Sequence, residues 1–236
     1  MQHRVGWEVC VFDIGSAGFE RAPFAAGERA VRSDVFDAEY LVNFLLAAAL
    51  IVFFAPLMLA VAVAVFVQDG GPVIFAHQRV GRNGRPFACL KFRSMAIDAQ
   101  ARLQHLLAVD AEARAEWARD HKLRNDPRIT RLGDFLRRSS LDELPQLFNV
   151  LRGEMSLVGP RPIVEAEASR YGRRIVHYCS VRPGITGLWQ VSGRNNTSYR
   201  RRVAIDVVYS RRKSLNLDIR ILLMTIPAVL LRRGSC

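Results

Sequence analysis

Between residues 41 and 67 the only clearly polar side chain is that of Asn43. As a helix rising about 1.5 Å per residue, this run of about 27 residues reaches about 40 Å, more than the roughly 30 Å of a bilayer's hydrocarbon core. Its apolarity extends all round rather than along one stripe, which predicts a membrane anchor and not a core helix. A cleaved signal peptide is disfavoured, because the run is too long and the forty residues before it carry more acids than bases. Pro56, near the middle, removes a backbone donor and collides with the preceding turn, so a kink or reversal is expected there. Two topologies follow: a kinked helix that crosses, or a helix-break-helix that dips in and returns. Arg79, Arg82, Arg85, Lys91 and Arg93 follow the run, and by the positive-inside rule alone they favour crossing with the C-terminal part cytoplasmic.

On either side the pattern changes. Residues 1–40 show no sustained periodicity and read as a poorly ordered tail. After Val67, the stretch Gln68-Asp69-Gly70-Gly71-Pro72 ends the helix. Two β-like runs, residues 73–76 and 87–92, then flank Asn83-Gly84, which predicts a hairpin. Residues 96–122 read as one or two amphipathic helices. The last apolar run, 221–231, holds Pro227 and at roughly 16 Å is too short to span. The division is therefore a tail (1–40), a membrane helix (41–67) and a domain with interfacial helices (68–236).

The balance of 34 basic against 22 acidic residues, net +12 with a pI near 10.5, points to a polyanionic partner: nucleic acid, an anionic membrane face or a phosphorylated small molecule. Cys10, Cys89, Cys179 and Cys236 are scattered, which indicates neither a zinc knuckle nor a disulfide framework and suits reduced cytosolic thiols. No GxGxxG or P-loop is present, which disfavours nicotinamide and P-loop nucleotide chemistry.

The candidate chemistry lies in the polar segments. Ser140-Leu141-Asp142-Glu143 has capping-box spacing before an apolar helical face, so both acids have a purely structural alternative. Against it stand Pro145, which leaves these side chains projecting, and Arg137, Arg138, Arg152 and Arg161 around them. A carboxylate held among arginines at a helix N-terminus is expected to stay ionised, which suits a nucleophile or metal ligand. Arg161, between two prolines, is aimed by a stiff backbone and suits a phosphate clamp. Lys91 and Arg93 alternate on one strand face. The stretch from Arg182 to Gln190, with Gly184 and Gly187, carries glycines whose backbone can approach a phosphate or a base closely.

Taken in order, Lys91-Phe92-Arg93-Ser94-Met95, Asp126-Pro127-Arg128-Ile129-Thr130, Ser140 to Gln146, Gly159-Pro160-Arg161-Pro162 and Arg182-Pro183-Gly184-Ile185-Thr186-Gly187-Leu188-Trp189-Gln190 resemble the bacterial sugar transferases, the monotopic polyprenyl-phosphate phosphoglycosyltransferases. The C-terminal Ile226-Pro227-Ala228-Val229 and Arg233-Gly234-Ser235 resemble the short exopolysaccharide-initiating undecaprenyl-phosphate galactosephosphotransferases. The resemblance implies transfer of a sugar-1-phosphate from a UDP-sugar to undecaprenyl phosphate with release of UMP, at the cytoplasmic face of the bacterial inner membrane. It implies Asp142 as nucleophile through an aspartyl-phosphosugar, Glu143 as its partner, and Mg²⁺ held by Asp142 and Glu143. Lys91, Arg93, Arg128 and Arg161 are the expected phosphate contacts, and Arg182, Gly184, Gly187 and Gln190 the uridine-side wall.

The implied fold is α+β: a mostly helical, membrane-associated catalytic domain with a small β-hairpin, anchored by one Pro-broken re-entrant helix. Here Ala55-Pro56 replaces the family's Ser-Pro pair, so the hydroxyl that would satisfy a freed carbonyl is missing. Two alternatives use the same features differently. A metal-dependent phosphatase or diphosphatase would pass the phosphoryl group from Asp142 to water. A membrane-tethered nucleic-acid binder would use Arg137-Arg138, Arg173-Arg174, Arg200-Arg201-Arg202 and Arg211-Arg212, but no nucleic-acid-binding motif accompanies them, and nucleic acid is not expected as a partner.

Overall fold

The computed structural model describes residues 38–120, 123–192 and 198–230. The expected tail lies outside them except for its last three residues, which belong to helix α1 (Ala38–Asp69). Gly193-Arg194-Asn195-Asn196 and the terminal Arg232-Arg233 also lie outside.

The apolar run folds as one 32-residue helix with Pro56 inside it. The chain is helical on both sides of Pro56, the position at which a kink or reversal was expected. Only 11% of its most apolar 18-residue window is buried against the rest of the protein, and its mean hydropathy there is 2.9. A core helix of a soluble domain would be mostly covered, so these values leave the helix long, apolar and available to lipid.

After Gly70, whose φ of +69° ends the helix, the hairpin forms from β1 (Ile74–Val80) and β2 (Pro86–Phe92). The strands pair antiparallel from Ile74 with Phe92 to Val80 with Pro86. Asn83 and Gly84 take left-handed conformations, φ +57° and +72°, at the turn, as their side chains allow. Then come α2 (Ala99–Val109), α3 (Ala111–Asp120), α4 (Arg131–Ser139), α5 (Gln146–Leu151), α6 (Glu165–Tyr171), α7 (Ile175–Cys179), α8 (Leu188–Val191), α9 (Tyr199–Arg212) and α10 (Leu215–Leu230). A parallel pair, β3 (Ser156–Val158) with β4 (Gly184–Thr186), adds a second small sheet that the sequence patterning missed. Three-residue strands are too short to show a period. The final apolar run, as far as residue 230, is part of α10, which passes through Pro227 as a helix.

The rest of the chain packs against α1 toward its two ends. Ala47 sits fully buried in the main core with Leu147, Val150, Met155, Leu157, Tyr209 and Ile221. Further along, Val61 and Val65 close a second core with Phe92 and Leu136. Polar contacts moor both ends. Tyr40 donates its hydroxyl to the Leu151 carbonyl at 2.9 Å, and the Asn43 Oδ1 accepts from Ser156 Oγ and the Leu157 amide. At the other end Asp69 pairs with Arg93. Between them Val52, Phe53, Leu57 and Leu59 stay exposed around Pro56.

Candidate active site

The expected capping box at Ser140 is not formed. Ser140 adopts φ +59° as the C-cap of α4 and makes no side-chain cap bond, while the capping role belongs to Thr130, whose Oγ1 accepts from the Gly133 amide at 2.9 Å. Leaving α4 through a left-handed residue turns the chain into a single 3₁₀ turn, Leu141–Glu143, that ends at buried Pro145. The two carboxylates are thereby released from helix-end duty.

Both converge on one ammonium. Lys91 Nζ donates to Glu143 Oε1 at 2.7 Å and lies 3.6 Å from Asp142 Oδ2. Asp142 is 7% exposed. Burial raises its pKa, with the Glu143 charge adding to the rise, and Lys91 and Arg137 pull the other way, toward the ionised form. Arg137 is itself held by donating its Nε to Ser94 Oγ at 2.8 Å.

Lys91 and Glu143 face a shallow, open recess whose wall also holds Arg79, Arg161, Gly184 and Gln190. Of the expected phosphate contacts, the structure thus gathers Lys91 and Arg161 beside the dyad. Arg128 forks onto Asp126, with Nε and Nη2 to its oxygens at 2.6–3.1 Å, and stacks over Trp117. Burial disfavours the charged Asp126, yet the hydrogen bonds from Arg128 hold its carboxyl below the usual range. Arg93 pairs with Asp69 and donates to the Val65 carbonyl. Arg182 donates to the Gly153 carbonyl at 3.0 Å and covers the Tyr40 ring. These three arginines therefore brace the scaffold that surrounds the dyad.

The glycines of the 182–190 stretch lie close to other backbone. A Cβ on Gly184 would come within 2.0 Å of the Gly159 amide nitrogen, and one on Gly187 within 2.1 Å of the Gly159 carbonyl oxygen. Gln190 donates to the Ile185 carbonyl, and its Oε1 is buried without a partner.

Sequence reasoning did not place Arg79, Cys89 or Gln146 at the recess. The signal for two of them was present: the hairpin register opposes His77 to Cys89 and Arg79 to Phe87, which sets Arg79 and Cys89 on the same face as Lys91. Arg79 donates to the Pro162 carbonyl and to His77 Nδ1. Burial, with Arg79 and Lys91 nearby, lowers the His77 pKa to about 4, so the ring is a neutral acceptor at neutral pH. Burial raises the Cys89 thiol to about 11, which leaves it protonated.

The adjacent carboxylates offer hard oxygen donors of the kind Mg²⁺ takes in ones or twos together with substrate phosphates. Among the described residues no group of three His, Cys, Asp or Glu side chains is placed to hold a metal. The dyad is thus a fit for a cation shared with a phosphorylated substrate, not for an all-protein cage.

Residues 36–232 match the family model for bacterial sugar transferases. The chain belongs to the bacterial sugar transferase family. It is 57% identical over 168 residues to an undecaprenyl-phosphate galactose phosphotransferase of Salmonella typhimurium, covering 71% of this chain and 35% of that protein. It is 55% identical over 181 residues to a UDP-galactose-lipid carrier transferase of Erwinia amylovora, covering 76% of this chain and 38% of that one. The exopolysaccharide production protein ExoY of Rhizobium meliloti is 49% identical over 191 residues, 81% of this chain and 84% of that protein. This family member therefore spans little more than a third of the first two relatives and most of the third.

Proposed function

We propose that the protein is a phosphoglycosyltransferase that moves a sugar-1-phosphate from a UDP-sugar to undecaprenyl phosphate and so starts assembly of an exopolysaccharide or related glycan. The observation that carries this reading is the buried Asp142 beside Glu143, with Lys91 Nζ within 3.6 Å of both carboxylates, next to a recess that Lys91 and Glu143 line together with Arg79 and Arg161. A cationic wall is what a diphosphate needs before a carboxylate can approach it.

The steps balance as a double displacement. An Asp142 carboxylate oxygen bonds to the phosphorus that bears the sugar, the bond from that phosphorus to the bridging oxygen breaks, and UMP leaves with the electron pair. An oxygen of the lipid phosphate then attacks the same phosphorus and releases the Asp142 carboxylate. Lys91 keeps the dyad from repelling the incoming phosphates and lowers the energy of the ionised nucleophile. Arg79 and Arg161 hold the donor's phosphate oxygens. Mg²⁺ on Asp142 and Glu143 supplies further neutralisation of diphosphate charge when bound.

The lipid acceptor requires an active site beside a bilayer, and α1 supports that placement. Its length is about 48 Å at 1.5 Å per residue, yet Tyr40 and Asn43 at one end and Asp69 at the other hold polar contacts with the same catalytic region. A helix crossing the membrane would put these ends on opposite sides. The reading is accordingly re-entrant, with the exposed apolar stretch around Pro56 in the lipid and the catalytic region on the cytoplasmic face of the inner membrane.

Release of UMP, followed across a panel of UDP-sugars with undecaprenyl phosphate present, tests the reaction and identifies the donor. Product analysis is expected to find the sugar on a lipid diphosphate. Free sugar phosphate formed without lipid would indicate a hydrolase. Intact-mass measurement after brief exposure to the active donor is expected to show a sugar-phosphate adduct that Asp142→Asn abolishes, and turnover surviving in Asp142→Ala would end the proposal.

A further inference from the structure

The arginine runs at Arg173-Arg174 and Arg200-Arg201-Arg202 have no part in the transfer chemistry above, yet the fold brings members of both to one place. A second recess, of about 400 Å³, opens between the α6 end and the α9 start; Arg170, Arg174 and Arg200 stand on its wall with Tyr171, Tyr199 and Val203. Its volume lies within the range of small-molecule sites, about 300–1,000 Å³. It shares no lining residue with the recess at Lys91 and Glu143.

Among the described residues the charge in this recess has no acidic partner. No carboxylate lines it, and among the described ion pairs none involves Arg170, Arg174 or Arg200. The nearest acid in sequence, Glu167, lies 3.9 Å from both Arg79 and Arg202, and its carboxylate is thus shared between those two cations. Arg170 stacks over the Tyr199 ring with its guanidinium carbon 5.0 Å from the centroid. A guanidinium stacked in this way is oriented, with N–H edges left to bond an oxyanion. Tyr171 and Val203 are buried and give the recess an apolar floor.

We propose that this recess is a second binding site, for a phosphate-bearing ligand of nucleotide or lipid-headgroup size. Three cations with a common opening and no acid among them recognise doubly charged phosphate oxygens, and the tyrosine and valine floor accepts the carrier's apolar part. The site also has a physical route to the catalytic recess. The Tyr199 hydroxyl lies 3.5 Å from the Glu167 carbonyl as its donor, and the Glu167 carboxylate reaches Arg79 on the catalytic wall.

The test uses the full chain in detergent, titrated calorimetrically with inorganic pyrophosphate, alongside flotation with phosphatidylcholine vesicles with and without phosphatidylglycerol. Arg174→Gln/Arg200→Gln is compared with wild type, with an unchanged melting temperature as the control for folding and Arg200→Gln alone as the milder variant. UMP release is expected to stay within twofold of wild type, so this outcome reads separately from the fate of the Asp142 mechanism. Loss of one pyrophosphate equivalent assigns a soluble phosphate ligand. A threefold or greater loss of preference for the anionic vesicles assigns a lipid headgroup, and loss of both assigns the phosphate group whatever its carrier. If neither binding stoichiometry nor vesicle preference changes, the proposal is overturned.

Discussion

Lys91 is the residue on which the dyad's electrostatics turn. Burial lifts the Asp142 pKa and the ammonium opposes that lift, so on the proposed mechanism the nucleophile loses its charge at a higher pH than an ordinary aspartate, and would do so at a higher pH still without Lys91. Lys91→Met is expected to cut adduct formation at neutral pH by at least tenfold and to move the acidic limb of its pH profile upward. A variant profile that merely scales the wild-type one would show that Lys91 positions substrate without tuning Asp142. Gly184 makes the opposite kind of demand, for space. A Cβ there would also lie 2.5 Å from the Thr186 carbonyl oxygen, and backbone cannot move aside as a flexible side chain does. Gly184→Ala is expected to cost about 3 kcal/mol, the upper end for overpacking, seen as a lowered melting temperature before any change in donor selectivity. No shift in melting temperature would mean that β3 and β4 separate without cost.

At the scale of elements, the long helix and the hairpin were legible because each carries its own signal: an unbroken apolar run, and two alternating runs about Asn83-Gly84. The β3–β4 pair was not, since its partners lie far apart in sequence and neither strand is long enough to alternate. The dyad was readable as a motif, whereas its local geometry was not. Ser-x-x-Glu spacing suits a cap, and only the left-handed Ser140 at the end of α4 shows why the cap does not form. Likewise Arg93, Arg128 and Arg182 were legible as cations, but their acceptors, Asp69, Asp126 and the Gly153 carbonyl, are set by tertiary contacts. The mooring of α1 yields its own prediction. Single cysteines at Tyr40 and Gly70, in a background with the native cysteines replaced by serine, are expected to react with a membrane-impermeant thiol reagent from the same side of oriented vesicles. Labelling from opposite sides would replace the re-entrant reading with a spanning one.

Across the whole molecule, buried polar groups tie α6 and α9 together and give stability a pH dependence. Tyr171 donates its hydroxyl to Asp206 Oδ2 at 2.7 Å, and Asp206 is 2% exposed. Burial raises the Asp206 carboxyl to about 6, against the pull of Tyr171 and Arg202. An unfolded aspartate titrates near about 3.9, so between pH 4 and 6 the folded state holds a proton that the unfolded state has released. Stability from this group is therefore gained as pH falls through that window and is absent above it, by on the order of 2–3 kcal/mol. Asp206→Asn is expected to raise the melting temperature at pH 7 and to flatten its rise toward pH 4. A slope equal to that of wild type would show that other groups govern the dependence.

The double mooring of α1 also has a mechanical consequence. On the re-entrant reading, the exposed side chains from Val52 to Leu59 displace acyl chains in one leaflet and leave the other untouched. Such a wedge adds area to its own monolayer only, and that monolayer relieves the strain by bending outward. Small vesicles with the protein on their convex surface would then capture it more readily than large ones of the same lipid, and the proposed transfer would respond to the tension of the sheet in which the helix is seated.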